Sequence, residues 1–209
     1  IALIPLLAMM WWSSASDGFL ANTDFTMQQV LYIALFLLLI ATVVTKNKYT
    51  FDDVGYIIAS ILYVGIGFHY FIETRALGVE YIFYALLIVW TTDSGAYFIG
   101  KAIGKNKLWP EISPNKTIEG FVGGLVSAVV ILSVYHYFFP VADHWLTFII
   151  VTLFASAFGQ LGDLVESAIK RHYDVKDSGK LLPGHGGVMD RFDSLLFVLP
   201  FLHTVQLFV

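Results

Sequence analysis

Long apolar runs alternate with short polar connections along this chain. The runs cover roughly 29–45, 54–72, 80–99, 120–139, 145–169 and 191–209, and each is near the ~20 residues a helix needs to cross a bilayer core. A further run, Ile1 to Trp12, lacks the basic start and small-residue cleavage site of a signal peptide. It reads as the tail of a spanning helix that begins before residue 1, in a chain truncated at its N-terminus. The pattern predicts an all-α fold, a polytopic transmembrane helical bundle forming one integral membrane domain over 1–209. Gly120, Gly124 and Ser127 share one helix face, as do Ala155, Gly159 and Gly162, a spacing that suits close helix packing in membranes.

The polar connections alternate in charge. Residues 13–28 and 140–144 hold no lysine or arginine, and 73–79 holds only Arg75. The intervening connections carry Lys46 and Lys48, then Lys101, Lys105, Lys107 and Lys116, then Lys170, Arg171, Lys176 and Lys180, with Arg191 at the far edge. Every basic residue but Arg75 thus falls on one side, which the positive-inside rule assigns to the cytoplasm. A buried helical core would explain the hydrophobicity but not this alternation. Composition agrees, with 57% hydrophobic and 13% charged residues and a mean hydropathy of +0.74. That much apolar surface must meet lipid. The absence of cysteine excludes disulfides and thiol catalysis. The net charge of −4 names no partner by itself, and no nucleic acid is expected.

Three apolar segments carry acids near their cytoplasmic ends: Asp93, then Asp163 and Glu166, then Asp190 and Asp193. An ionised group at membrane depth costs at least a few kcal/mol, so these side chains should face a cavity or a partner. At 3.6 residues per turn, Asp163, Glu166 and Lys170 share one helical stripe. If Asp163, Asp190 and Asp193 converge, each pair of charges about 4 Å apart repels by roughly 4 kcal/mol at an effective dielectric near 20. Such a group takes up protons or holds a cation, and oxygen ligands suit magnesium. Pairing with a nearby base such as Lys170 or Arg191 is the structural alternative.

Between these segments runs Lys176-Asp177-Ser178-Gly179-Lys180-Leu181-Leu182-Pro183-Gly184-His185-Gly186-Gly187, then Val188-Met189-Asp190-Arg191-Phe192-Asp193. Pro183 and the glycines forbid a continuous helix and leave backbone amides free. Glycines leading into a helix start favour an anion, and flanking lysines and arginine add phosphate donors. Amides for phosphate beside carboxylates for a metal are what phosphoryl and nucleotidyl transfer require. His185 suits a general base, a phosphate donor or a hydrogen bond within the turn. Ser113-Pro114-Asn115-Lys116-Thr117 reads either as a helix cap through Thr117 or Asn115, or as a second phosphate contact through Ser113 and Lys116.

These residues resemble a known family. Ser167-x-x-Lys170-Arg171, Lys176-Asp177 and His185-Gly186-Gly187-x-x-Asp190-Arg191-x-Asp193 resemble the signature of phosphatidate cytidylyltransferases. Trp90-x-x-Asp93-x-x-Ala96-Tyr97 and Ile112-Ser113-Pro114-Asn115-Lys116-Thr117-x-Glu119-Gly120 are similar to that family as well, so the resemblance covers about 90–193. It implies a magnesium-dependent, multi-pass enzyme of the bacterial inner membrane, often dimeric, with its active site at the cytoplasmic ends of the helices. Its substrates would be CTP and the membrane lipid phosphatidate, and its products CDP-diacylglycerol and pyrophosphate. Asp163, Asp190 and Asp193 would be metal ligands by motif position. Lys170, Arg171, Lys176, Lys180 and the His185, Gly186 and Gly187 turn would hold phosphates, with Asp93, Ser113, Lys116 and Arg191 as further substrate contacts. A CTP-dependent lipid kinase is the nearest rival and a secondary transporter, with Asp93, Asp163 and Glu166 as its relay, a more distant one.

Overall fold

A computed structural model describes residues 27–179 and 186–207. They fall into two compact units, one ending at Glu73 and one starting at Thr74. The first holds α1 (Met27–Val44) and α2 (Phe51–Ser60), which passes through a π-helical turn (Ile61–Gly65) into α3 (Ile66–Leu77), whose last residues from Thr74 onward belong to the second. Thr50 starts α2 with a capping box: its hydroxyl accepts from the Asp53 amide, and the Asp53 carboxylate accepts from the Thr50 amide at 2.8 Å.

The second unit runs α4 (Val79–Ile103), β1 (Lys107–Trp109), β2 (Ser113–Thr117), α5 (Ile118–Phe138), α6 (Trp145–His172), α7 (Met189–Phe192) and α8 (Leu195–Thr204). Among the described residues, four helices are long and apolar enough to cross a membrane: Phe51–Leu77, Val79–Ile103, Ile118–Phe138 and Trp145–His172. The predicted runs at 54–72, 80–99 and 145–169 lie within them, and 120–139 overruns the third by one residue. On α5, Val126, Val130 and Val134 are exposed at four-residue intervals, while Ala128, Leu132 and His136 are buried. That division is what a helix between protein and lipid requires. The chain is a multi-pass helical membrane protein.

The last apolar run, 191–209, is not one spanning helix. It forms α7 and the ten-residue α8, and ten residues rise only about 15 Å against a core of about 30 Å. Leu195, Leu196, Val198, Leu199 and Leu202 are buried. Val198 and Phe197 sit against Gly159 and Gly162 of α6, so these residues are apolar because protein covers them. The run 1–12 lies outside the described residues.

Helices α4 and α5 cross closely because glycines let their backbones approach. A Cβ on Gly120 would lie 2.7 Å from the Ala96 carbonyl oxygen, and one on Gly124 would lie 2.8 Å from that of Thr92. Small residues thus do what their spacing predicts. Polar pairs tie α6 to this crossing: the Tyr84 and Thr152 hydroxyls meet at 2.8 Å, those of Thr92 and Ser156 at 2.7 Å. Gln160 donates to the Phe121 carbonyl at 3.1 Å. Buried His136 stacks on Phe148 with centroids 4.2 Å apart and accepts from the Val141 amide, a structural use.

The connection between α4 and α5 is a β-hairpin where a polar turn was expected. Lys107 pairs with Thr117 and Trp109 with Ser113. Thr117 nevertheless caps α5 as its sequence suggests, its hydroxyl accepting from the Gly120 amide at 3.1 Å.

The crossing gives a direct test. Gly124→Val should force α4 and α5 apart and cost about 1–3 kcal/mol or more, read as a lower melting temperature in detergent. Gly55→Ala, where an added Cβ meets nothing within 4 Å, should change stability by no more than about 1 kcal/mol. Equal melting temperatures for the two variants would remove the close-crossing account.

Candidate active site

On the stripe predicted on α6, Lys170 links two carboxylates. The Lys170 ammonium donates to Glu166 Oε2 at 2.9 Å, one turn back, and to Asp190 Oδ1 at 2.7 Å on α7. Glu166 is only 3% exposed, so removing its partner would strand a buried charge. The other Asp190 oxygen, Oδ2, accepts from the Ser178 amide at 2.9 Å, the Ser178 hydroxyl at 2.8 Å and the Gly187 amide at 2.7 Å. Gly186 makes this turn with φ of 83°, in the left-handed region that glycine enters without strain. A Cβ there would lie 2.7 Å from Asp190 Oδ2.

Partial burial opposes ionisation of Asp190. Lys170, the Gly187 amide and the hydroxyl and amide of Ser178 outweigh it and hold the carboxyl well below the usual carboxylate range. A depressed pKa contributes stability that is present above the unfolded value and lost only as pH falls through the folded one. The clamp is therefore complete at neutral and mildly acidic pH. Loop amides expected to face phosphate face a carboxylate here.

Asp163 turns to a different partner. Its Oδ2 meets the Lys116 ammonium at 2.6 Å, and the Ser167 hydroxyl reaches Oδ1 at 3.4 Å. Asp163, Asp93, Lys116 and Gln160 line a cavity of about 510 Å³ bounded by α4, the hairpin, α5 and α6. Asp193 accepts from the Ser194 amide at 2.7 Å, and its backbone carbonyl lies against Gly162.

The structure thus joins Lys170, Asp190, Gly187 and Ser178 in one network, and Lys116, Asp163 and Asp93 around one cavity. Arg171, Lys176 and Arg191 are exposed and Ser113 is half-buried in β2. Lys180 and His185 lie outside the described residues. Among the described residues no group of three or more acidic, histidine or cysteine side chains is gathered as a metal cage, and Asp163, Asp190 and Asp193 take separate partners. One observation does suit a hard cation. Glu166 Oε1 is buried without a hydrogen-bond donor, close enough to the Asp193 carboxyl to interact with it. A shared proton or an oxygen-seeking cation would satisfy both groups.

Glu166 and Gln160 belong to the site although motif reasoning did not place them there. Their signal was the spacing 160, 163, 166 and 170 on one face of an otherwise apolar helix. Lys101 and Lys107, which line the same cavity, had counted only as loop charge.

Removing the clamp should release the loop. Asp190→Asn loses a charged acceptor worth about 1.5–3 kcal/mol per hydrogen bond, so amide hydrogen exchange at Ser178 and Gly187 should accelerate at least tenfold at neutral pH. Gly186→Ala should do the same by straining the turn. Unchanged exchange in both variants would show that Asp190 does not hold these amides.

Comparison with known proteins identifies the family. The sequence profile of the Cytidylyltransferase family matches residues 1–209. The phosphatidate cytidylyltransferase of Bacillus subtilis (strain 168) is 53% identical over 201 residues, which is 95% of this chain and 75% of that protein. Its namesake from Staphylococcus haemolyticus is 55% identical over 170 residues, 81% of this chain. That from Staphylococcus aureus (strain COL) is 56% identical over 170 residues, again 81% of this chain. The chain spans 65% of the length of each staphylococcal protein. On a match that runs its full length, and with identities above one half, the chain belongs to the cytidylyltransferase family.

Proposed function

We propose that this chain transfers CMP from CTP to phosphatidate, giving CDP-diacylglycerol and pyrophosphate. The relatives carry that activity in their names. The observation that carries the reading is the position of Asp163, between two cation-bearing regions. Lys116 meets it across the cavity, and Lys170 lies two turns along the same helix face, tied to the glycine loop. Two phosphorylated substrates need two such regions.

A phosphatidate oxygen attacks the α-phosphorus of CTP. A new P–O bond forms, the bond to the bridging oxygen breaks, and pyrophosphate leaves with its electron pair. The nucleophile is already anionic, so no strong base is required. What the protein must supply is alignment and neutralisation of two mutually repelling phosphates. Lys170, Arg171, Lys176 and Arg191 are the cations around the glycine loop that would take the triphosphate, while Lys116 and Ser113 belong to the hairpin side.

Magnesium is part of the proposal. Asp163 and Asp193 would hold it, and Asp190 would join them only on leaving Lys170 and the loop amides; Glu166 Oε1 supports an added cation. The ion would neutralise phosphate charge. The same reading places the protein in a bacterial inner membrane with this site on the cytoplasmic side, where CTP is found, and includes a homodimer, which cross-linking in native membranes would test.

With CTP labelled at the α-phosphorus, phosphatidate and magnesium, label should enter lipid while unlabelled pyrophosphate is released. Asp193→Asn should lower the rate at least about 100-fold with the helical content unchanged. Label left in free CDP, with phosphate moved to a lipid alcohol, would replace this reaction with a kinase. Single cysteines at Asn106, Ser178 and Asp143 test the sidedness, since the chain has no others. An impermeant thiol reagent added to intact cells should label only Asp143→Cys, and labelling at 178 from outside would overturn the assigned orientation.

A further inference from the structure

We infer that the cavity beneath the β1–β2 hairpin receives the phosphomonoester headgroup of the lipid substrate, with Lys101 and Lys107 as its phosphate donors. This rests on the cytidylyltransferase reading above and adds to it which substrate occupies which region.

The cavity, about 510 Å³, is lined by three ammonium groups, Lys101, Lys107 and Lys116, and two carboxylates, Asp93 and Asp163. Lys116 is committed to Asp163 at 2.6 Å. Among the described residues neither Lys101 nor Lys107 takes part in an ion pair; the Lys101 ammonium rests 5.7 Å from the Tyr97 ring centroid. Eight residues separate Asp93 from Lys101 along α4, or about 12 Å of helix rise. The cavity is therefore anionic toward the middle of the membrane helix and cationic toward its end. An incoming phosphate is repelled from Asp93 and held at the lysine end.

The surroundings of that end select the kind of phosphate. Tyr97 is 61% exposed, Phe98 67% and Ile103 60% on the last turns of α4, and Trp109 in β1 is 48% exposed. In a membrane helix such residues mark the lipid-facing belt, where aromatic rings sit at headgroup level and lysine stems lie along apolar surface with the charge in the headgroup layer. A diacyl phosphomonoester can place its phosphate on Lys101 and Lys107 and keep its tails on this belt. A nucleoside triphosphate has no tails to place there and brings more negative charge toward two carboxylates. The exposed Arg171 and Lys176 near the glycine loop suit that ligand better.

The test uses the purified full chain in detergent, with dioctanoyl phosphatidate and CTP titrated separately by calorimetry. The double variant Lys101→Gln, Lys107→Gln should weaken phosphatidate binding at least tenfold and leave CTP binding within twofold. Lys101→Arg with Lys107→Arg should restore most of the loss, and dioctanoyl phosphatidylcholine should bind the wild type and the glutamine variant equally poorly. In turnover, KM for phosphatidate should rise while KM for CTP holds. A loss of CTP affinity with phosphatidate binding intact would put the nucleotide in the cavity and overturn the inference, and so would equal weakening of both ligands. Wild-type protein that binds phosphatidate through these lysines but forms no CDP-lipid would overturn the reaction and leave the cavity assignment standing.

Discussion

Lys170 is one ammonium shared by two carboxylates, Glu166 at 2.9 Å and Asp190 at 2.7 Å, and the end of the bundle is organised around it. Glu166 is buried on a membrane helix, where an unpaired charge is costly. Asp190 lies across a break in the helical structure, so satisfying it draws α7 onto α6. Its second oxygen then gathers Ser178 and Gly187. A chain of charge-assisted hydrogen bonds thus runs from the interior of α6 through Asp190 to Ser178 and Gly187.

The glycine crossing of α4 and α5 supplies the other half of the architecture. Close backbone approach at Gly120 and Gly124 fixes how α5 leaves the hairpin, and Thr117 caps it there. The hairpin is held in turn by Glu119, whose carboxylate accepts from the Asn106 side chain at 2.8 Å. Lys116 is thereby carried to Asp163 on a third helix. The cavity exists because three helices and a hairpin meet around groups too polar to be covered by lipid. A cytidylyltransferase working on a membrane lipid needs such a place, polar inside and bordered by lipid-facing side chains.

Much of this was legible in the residues. Apolar runs at 54–72, 80–99, 120–139 and 145–169 match the four long helices to within one residue of overrun, because membrane crossing imposes a length and a composition together. The stripe Asp163, Glu166 and Lys170 was legible from helical period alone, and Thr117 as a cap from its chemistry. The run at 191–209 misled for a physical reason: burial against α6 and exposure to lipid both demand apolar residues. Composition cannot tell the two apart, whereas the position of Val198 against Gly159 does.

The sequence by itself determined the membrane class, the family signature and the inventory of phosphate-seeking and acidic groups, since these follow from residue type, spacing and period. Only the tertiary structure decided the partners. Asp163 pairs with Lys116, forty-seven positions before it, while Asp190 takes Lys170 and the loop amides. Spacing along a chain says which side chains share a helix face. It does not say which face of another helix lies opposite, because that depends on how glycines, caps and buried charges are satisfied together.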